Sequence, residues 1–167
     1  MVSHDESHAA AAAPHPGPAH AEIPAVMLQE LIDHARLEYP NEACGIIVGS
    51  AVAAEGGLAV RFVPTRNAAA SPYRYEIDPQ ALLRLTVETD DRDEVFWGIV
   101  HSHVRTAPRP SPTDIGLAFY PEALYILVSL ADDGLEAGGN PASPAPSVRA
   151  WRIVDAHVHE VELQVIA

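Results

Sequence analysis

The chain has 167 residues, enough for one domain with a full core and too few for two ordinary ones. Apolar residues make up 48% and charged residues 20%, a globular balance that excludes a wholly disordered chain. The formal charge is −13, from 23 acids against 10 bases, so the field repels a phosphate backbone and argues against a nucleic-acid partner.

A single cysteine, Cys44, rules out an internal disulfide and fits a reducing, cytoplasmic setting. The chain does not open on a basic region followed by an apolar stretch, so no secretory signal is expected. No apolar run reaches the ~18 to 20 residues of a membrane span. Residues 1–22 are rich in Ala, His and Pro and lack large apolar side chains, which predicts a disordered tail ahead of one domain at 23–167. His4, His8, His15 and His20 in that tail offer at most loose metal contacts.

From Ile23 the pattern becomes regular. Val26, Met27, Glu30, Leu31, His34, Ala35 and Glu38 alternate faces with helical period and predict a helix over 24–38. Tyr39-Pro40-Asn41 ends it, because a residue before proline avoids the α region. The apolar run 43–50 predicts a buried strand, Gly56-Gly57 a turn, and 58–65 the returning arm of a hairpin. After a loop at 66–72, Tyr73 to Ile77 predicts a short strand. Asp78 as N-cap and Pro79 at the first helical position then start a helix reaching about Thr89.

The strongly apolar 94–103 predicts a central strand, followed by a proline-containing loop at 104–110. Ser111 starts a helix of about two turns ending near Phe119, and 123–130 predicts another buried strand. Residues 131–147 are Gly-, Pro-, Ser- and Ala-rich and predict a flexible loop, long for a compact domain. Two strands, 148–154 and 157–166, close the chain as a hairpin around Asp155-Ala156. There is no internal repeat. The order of elements predicts an α/β fold with a mixed sheet flanked by helices, with Trp97 and Trp151 in its core.

The stretch that carries chemistry is His101-Ser102-His103, seven residues, then Ser111-Pro112-Thr113-Asp114. Residues i and i+2 of a strand face the same way, so His101 and His103 project side by side at the end of an apolar strand. Strand C-terminal ends in open α/β sheets are where ligands bind. Two imidazoles and a carboxylate from adjacent elements make three corners of a tetrahedron, with the fourth left for water, as in a catalytic zinc site. Glu42, where the first helix gives way to the first buried strand, is the candidate general base, and Ser111 a candidate donor to an oxyanion. Ser111-x-x-Asp114 also reads as a plain capping box. Cys44 reads as a small apolar core residue, since a nucleophile needs a histidine base that the metal set already uses. His157-x-His159 has no carboxylate motif behind it and reads as an exposed strand face.

This spacing, with Asn41-Glu42-Ala43-Cys44-Gly45 upstream and Arg152-Ile153-Val154-Asp155 downstream, resembles the JAMM (MPN-plus) metallopeptidases over about residues 24–165. The resemblance implies an α/β sandwich similar to the deaminases and one catalytic Zn2+ on His101, His103 and Asp114. It also implies Glu42 as general base and acid, and Ser111 steadying the tetrahedral intermediate. It is strongest to short bacterial members that release cysteine from the diglycine end of a small ubiquitin-like sulfur-carrier protein. On that reading Asn67, Ser71 and Tyr73 are candidates to bind the extended substrate tail. The alternatives are an isopeptidase or processing peptidase for another ubiquitin-like modifier, and a non-catalytic MPN scaffold. A zinc deaminase is excluded by the lack of His-x-Glu and of a second cysteine.

Overall fold

The computed structural model describes residues 19–131 and 146–167. The expectations for residues 1–18 and for most of the 131–147 loop lie outside the described residues. Seven strands are present: β1 (His20–Pro24), β2 (Cys44–Gly49), β3 (Ala59–Thr65), β4 (Val95–His103), β5 (Leu124–Ser129), β6 (Ser147–Val154) and β7 (His157–Ile166). They form one mixed sheet in the order β1-β7-β6-β5-β4-β2-β3, parallel only at β1/β7 and β4/β5. The helices are α1 (Ala25–Glu38), α2 (Pro79–Asp91) and α3 (Pro112–Gly116).

Each face of the sheet has its own core. Met27, Leu31 and Ala35, at helical spacing on α1, pack against Ile47, Val100 and Ile126. On the other face Leu85 of α2 meets Ile46, Ile99, Tyr125 and Leu127. The edge strands β1 and β3 approach within 8 Å, so the sheet curls around α1. Burial on both faces explains why β2 and β5 are continuous apolar runs without alternation.

A bulge in β4 sets which face its histidines take. Ile47 pairs with Gly98 but Val48 pairs with Phe96, so Trp97 is one residue too many for its partner strand. Trp97 turns into the α1 core and donates its indole N–H to the Gly57 carbonyl at 2.8 Å. Beyond the bulge Ile99, His101 and His103 share the α2/α3 face, while Val100 and Ser102 face α1. Gly45 lets β3 lie close beside β2, because a Cβ there would sit 2.7 Å from the Val63 carbonyl oxygen.

Three expectations differ from the structure. The predicted tail ends inside β1, whose residues from His20 pair with Glu162 onward, burying Ala21 and Ile23. Tyr73 to Ile77 is not a strand: it makes one isolated bridge, Asn67 to Ile77, and its Arg74 and Glu76 backbone groups bond to the Asn67 side chain instead. The helix after Ser111 stops at Gly116 rather than Phe119. Tyr120 precedes a proline, and its N–H is taken by the Tyr125 hydroxyl at 2.9 Å. The terminal hairpin is as expected, turning at Asp155 and Ala156 with φ of 48° and 63°, the left-handed pair that matches strand twist.

One contact ties β2 to the end of β4. The Ser102 Oγ accepts from the buried Ala43 N–H at 2.7 Å, and Ser102 N–H donates to the Ala43 carbonyl at 3.0 Å. Replacing Ser102 with alanine leaves the Ala43 N–H unsatisfied, with an expected loss of about 1–3 kcal/mol in urea unfolding. An unchanged midpoint would show that this bond does not hold the two strands.

Candidate metal centre

His101 and His103 close β4, and Asp114 stands in the first turn of α3, where Ser111 is the N-cap. All three are buried. The Nε2 atoms of His101 and His103 lie 3.2 Å apart. Asp114 Oδ1 lies 3.4 Å from His101 Nε2, and Asp114 Oδ2 lies 3.3 Å from His103 Nε2. Ligands bound to zinc at about 2.0–2.1 Å in a tetrahedron stand about 3.3 Å apart, so this triangle matches three corners of such a site.

Tautomers point the same way. The His103 Nδ1–H donates to the Ala107 carbonyl at 2.9 Å, which leaves the Nε2 lone pair turned to the centre. Both imidazole Nε2 atoms and the Asp114 carboxylate converge on one point, a donor set suited to a cation. Asp114 is held well below the usual carboxylate range. Burial alone would raise it, but the two imidazoles, 3.4 and 3.3 Å away, and the Ser111 N–H, 2.7 Å away, outweigh that. Complete burial pushes His101 down. His103 is raised: burial opposes its charged form, but Asp114 and the Ala107 carbonyl favour it more strongly.

Glu42 reaches the site from the chain just before β2. Cys44 pairs with His101 and the Ala43–Ser102 contact extends the ladder, which sets Glu42 beside His103. Its side chain is buried, and Oε2 has no hydrogen-bond partner. Burial pushes its carboxyl up to about 7, with His103 pulling it down and Asp114 adding to the rise. A buried carboxyl poised near neutrality with one free oxygen is the equipment of a general base.

Ser111 is half-buried and forms a full capping box with Asp114: its Oγ accepts from Asp114 N–H at 3.2 Å while its own N–H donates to Asp114 Oδ2. The capping reading and the site reading of this motif are therefore one arrangement, since the cap aims the carboxylate. Asn67, Ser71 and Tyr73 differ in exposure and in what they bond. The Asn67 amide is buried and wholly bonded to backbone. The Ser71 carbonyl accepts the Glu42 N–H at 2.9 Å, and Tyr73 is exposed. The sequence reading missed Tyr75, stacked on His101 with ring centroids 4.2 Å apart, because a lone aromatic in a loop has no periodicity to mark it. Cys44 is buried, bonded to Thr65, and pushed up to about 11 by burial, which fits a core residue.

A family model described as prokaryotic homologues of the JAB domain matches residues 24–154. The chain belongs to the prokaryotic JAB family. It is 36% identical over 145 residues to the CysO-cysteine peptidase of Mycobacterium tuberculosis, covering 86% of this chain and 90% of that protein. It is 31% identical over 104 residues to the desampylase of Haloferax volcanii, covering 59% of this chain and 73% of that protein. Among solved structures, a protein from Desulfitobacterium hafniense superposes with a TM-score of 0.71 at 28% identity, covering 87% of this chain and 92% of that one. A Salinibacter ruber protein, at 21% identity and a TM-score of 0.59, covers 87% and 91% and shares the fold. The peptidase names among the relatives support hydrolytic activity in this JAB domain. Among the described residues no helix is long and apolar enough to cross a membrane.

The position of Glu42 has a consequence for the metal-free protein. An unfolded glutamate ionises near 4.5 and the folded one near 7, so burying the ionised form costs nothing below pH 4.5 and its full amount above pH 7. Without metal, Glu42→Gln is expected to be more stable than the parent at pH 8 by about 2–3 kcal/mol, with the gap closing toward pH 5. Urea unfolding at the two pH values checks this. A pH-independent difference would remove Glu42 as the source.

Proposed function

We propose that this protein is a zinc-dependent peptidase that hydrolyses the amide bond after the C-terminal diglycine of a small ubiquitin-like sulfur-carrier protein, releasing cysteine. The hydrolytic part rests on the convergence of His101, His103 and Asp114 beside a buried Glu42 with a free oxygen. The substrate part rests on the 36% identity to a CysO-cysteine peptidase across 90% of that protein. Imidazole and carboxylate donors without thiolate suit zinc. Held by these three residues, the ion supplies Lewis acidity and lowers the pKa of water from ~16 to about 7.

The chain's own groups carry the protons. Glu42 takes a proton from the attacking water at its carboxylate and passes it to the amine nitrogen as the C–N bond breaks, returning to its starting state. The Ser111 hydroxyl, whose oxygen already accepts from Asp114 N–H, keeps its proton to donate to the scissile carbonyl oxygen as charge builds there. No covalent enzyme intermediate forms. Tyr73, exposed two residues from the Ser71 carbonyl that accepts the Glu42 N–H, would help bind the extended tail. The −13 charge suits a carrier with a basic face, and a cytoplasmic setting goes with a single buried thiol. Cleavage after the same diglycine in another ubiquitin-like modifier is the second reading, favoured by the desampylase relatives.

Intact mass of a sulfur-carrier–cysteine adduct incubated with the protein tests the proposal. The expected result is loss of one cysteine residue from the adduct with the parent protein and none with Glu42→Gln, which keeps its zinc. Full activity of Glu42→Gln would remove its role as base. His103→Ala is expected to lose both zinc, measured by elemental analysis, and turnover. Normal zinc content in that variant would overturn the ligand set.

A further inference from the structure

Glu42 and His101 stand on different strands, yet one irregular segment, residues 67–77, touches both. We propose that Asn67 and Tyr75 on this segment are positioning residues, Asn67 for the backbone of Glu42 and Tyr75 for the ring of His101. This rests on the metallopeptidase reading of the site and deepens it.

Glu42 lies two residues before β2, and its own N–H and carbonyl bond to the 67–77 segment rather than to a strand. Its N–H donates to the Ser71 carbonyl at 2.9 Å and its carbonyl accepts from Asn67 Nδ2 at 2.9 Å. Asn67 Nδ2 also donates to the Arg74 carbonyl at 3.0 Å. Its Oδ1 accepts from the N–H groups of Ala69 and Glu76, both at 3.0 Å. Two donors and two acceptors are all that a carboxamide has, and all four go to backbone. Aspartate has the same shape but no donors, so it would set an oxygen against the carbonyls of Glu42 and Arg74. The amide thus ties the segment to the start of β2 and sets where the Glu42 side chain begins.

His101 lacks what a ligating imidazole normally has. His103 is steadied at Nδ1 by the Ala107 carbonyl and by Thr106 Oγ1 at 3.0 Å. Among the described residues His101 Nδ1 is buried with no hydrogen-bond partner. A ligating histidine usually owes its orientation to such a bond, and removing one weakens metal binding about 10- to 100-fold. Here the Tyr75 ring lies against the imidazole at 4.2 Å and 18° from parallel, and holds the plane that a hydrogen bond would otherwise hold.

Two measurements on folded protein test this, with folding checked by thermal melting. The first is zinc affinity by competition with a chromophoric chelator, together with the visible spectrum of the cobalt(II)-substituted protein; neither needs a substrate. Tyr75→Phe keeps the ring and is expected to match the parent in both. Tyr75→Leu is expected to bind zinc at least about tenfold more weakly and to change the cobalt bands. Equal affinity and spectra for Tyr75→Leu would overturn the role of Tyr75, whereas a parent that binds no zinc would overturn the metal site itself. The second is turnover of the carrier–cysteine adduct. Asn67→Asp is expected to lose about a hundredfold in kcat with KM and zinc content unchanged, because the base is displaced and the metal is not. A folded Asn67→Asp with the parent's kcat would overturn the role of Asn67. If that variant does not fold, the Phe and Leu variants of Tyr75 decide whether the segment positions the site.

Discussion

The site depends on the antiparallel pairing that sets the start of β2 against the end of β4. Cys44 opposite His101, and Ala43 clasped to Ser102, bring Glu42, two residues before β2, alongside the last residue of β4. Glu42 and His103 lie 61 positions apart in the chain. Without this register they would not meet, and a slip of one residue would turn either side chain to the opposite face. The Trp97 bulge completes the constraint, because it decides that His101 and His103 face α3 rather than α1.

Around that pairing the protein has gathered groups that cost free energy to hold together. Two imidazole nitrogens and a carboxylate within 3.4 Å, and a second buried carboxyl nearby, form an arrangement that the interior tolerates only with compensation. Part of that compensation is local. Ser111 caps α3 and bonds Asp114, the Ala107 carbonyl takes the His103 N–H, and Ser129 Oγ donates to the Thr106 carbonyl at 2.7 Å to steady the intervening loop. The same loop is pinned by the Trp151 indole N–H on the Pro108 carbonyl at 2.9 Å, with the Arg109 guanidinium 5.5 Å from the indole ring. A metal ion held by His101, His103 and Asp114 would supply the rest. A hydrolase gains from this economy of position, since the groups that ask for a metal are already aimed before it arrives.

The comparisons extend this chemistry in a graded way. The match over 24–154 spans the residues of the candidate centre, from Glu42 to Asp114. The relatives are named as a CysO-cysteine peptidase and as desampylases.

Much of the site was legible from the chain alone, for a physical reason in each case. His101-x-His103 on an apolar strand has one geometric outcome, side chains on one face, and Ser111-x-x-Asp114 has one local outcome, a capped helix that aims a carboxylate. Periodicity and capping likewise foretold α1, the Asp78 start of α2 and the terminal hairpin, because local sterics and short-range bonds decide them. The tertiary structure decided what depends on partners distant in sequence. Tyr73 to Ile77 looks like a strand, yet it makes one bridge and its backbone bonds to the Asn67 side chain, a partner that only the folded chain supplies. His20 to Glu22 looks like tail, yet β7 offers an edge that captures it. Asn67 and Tyr75 as supports of Glu42 and His101 were beyond any reading of spacing, since a side chain's hydrogen bonds and ring contacts belong to the packed fold and not to the segment that bears it.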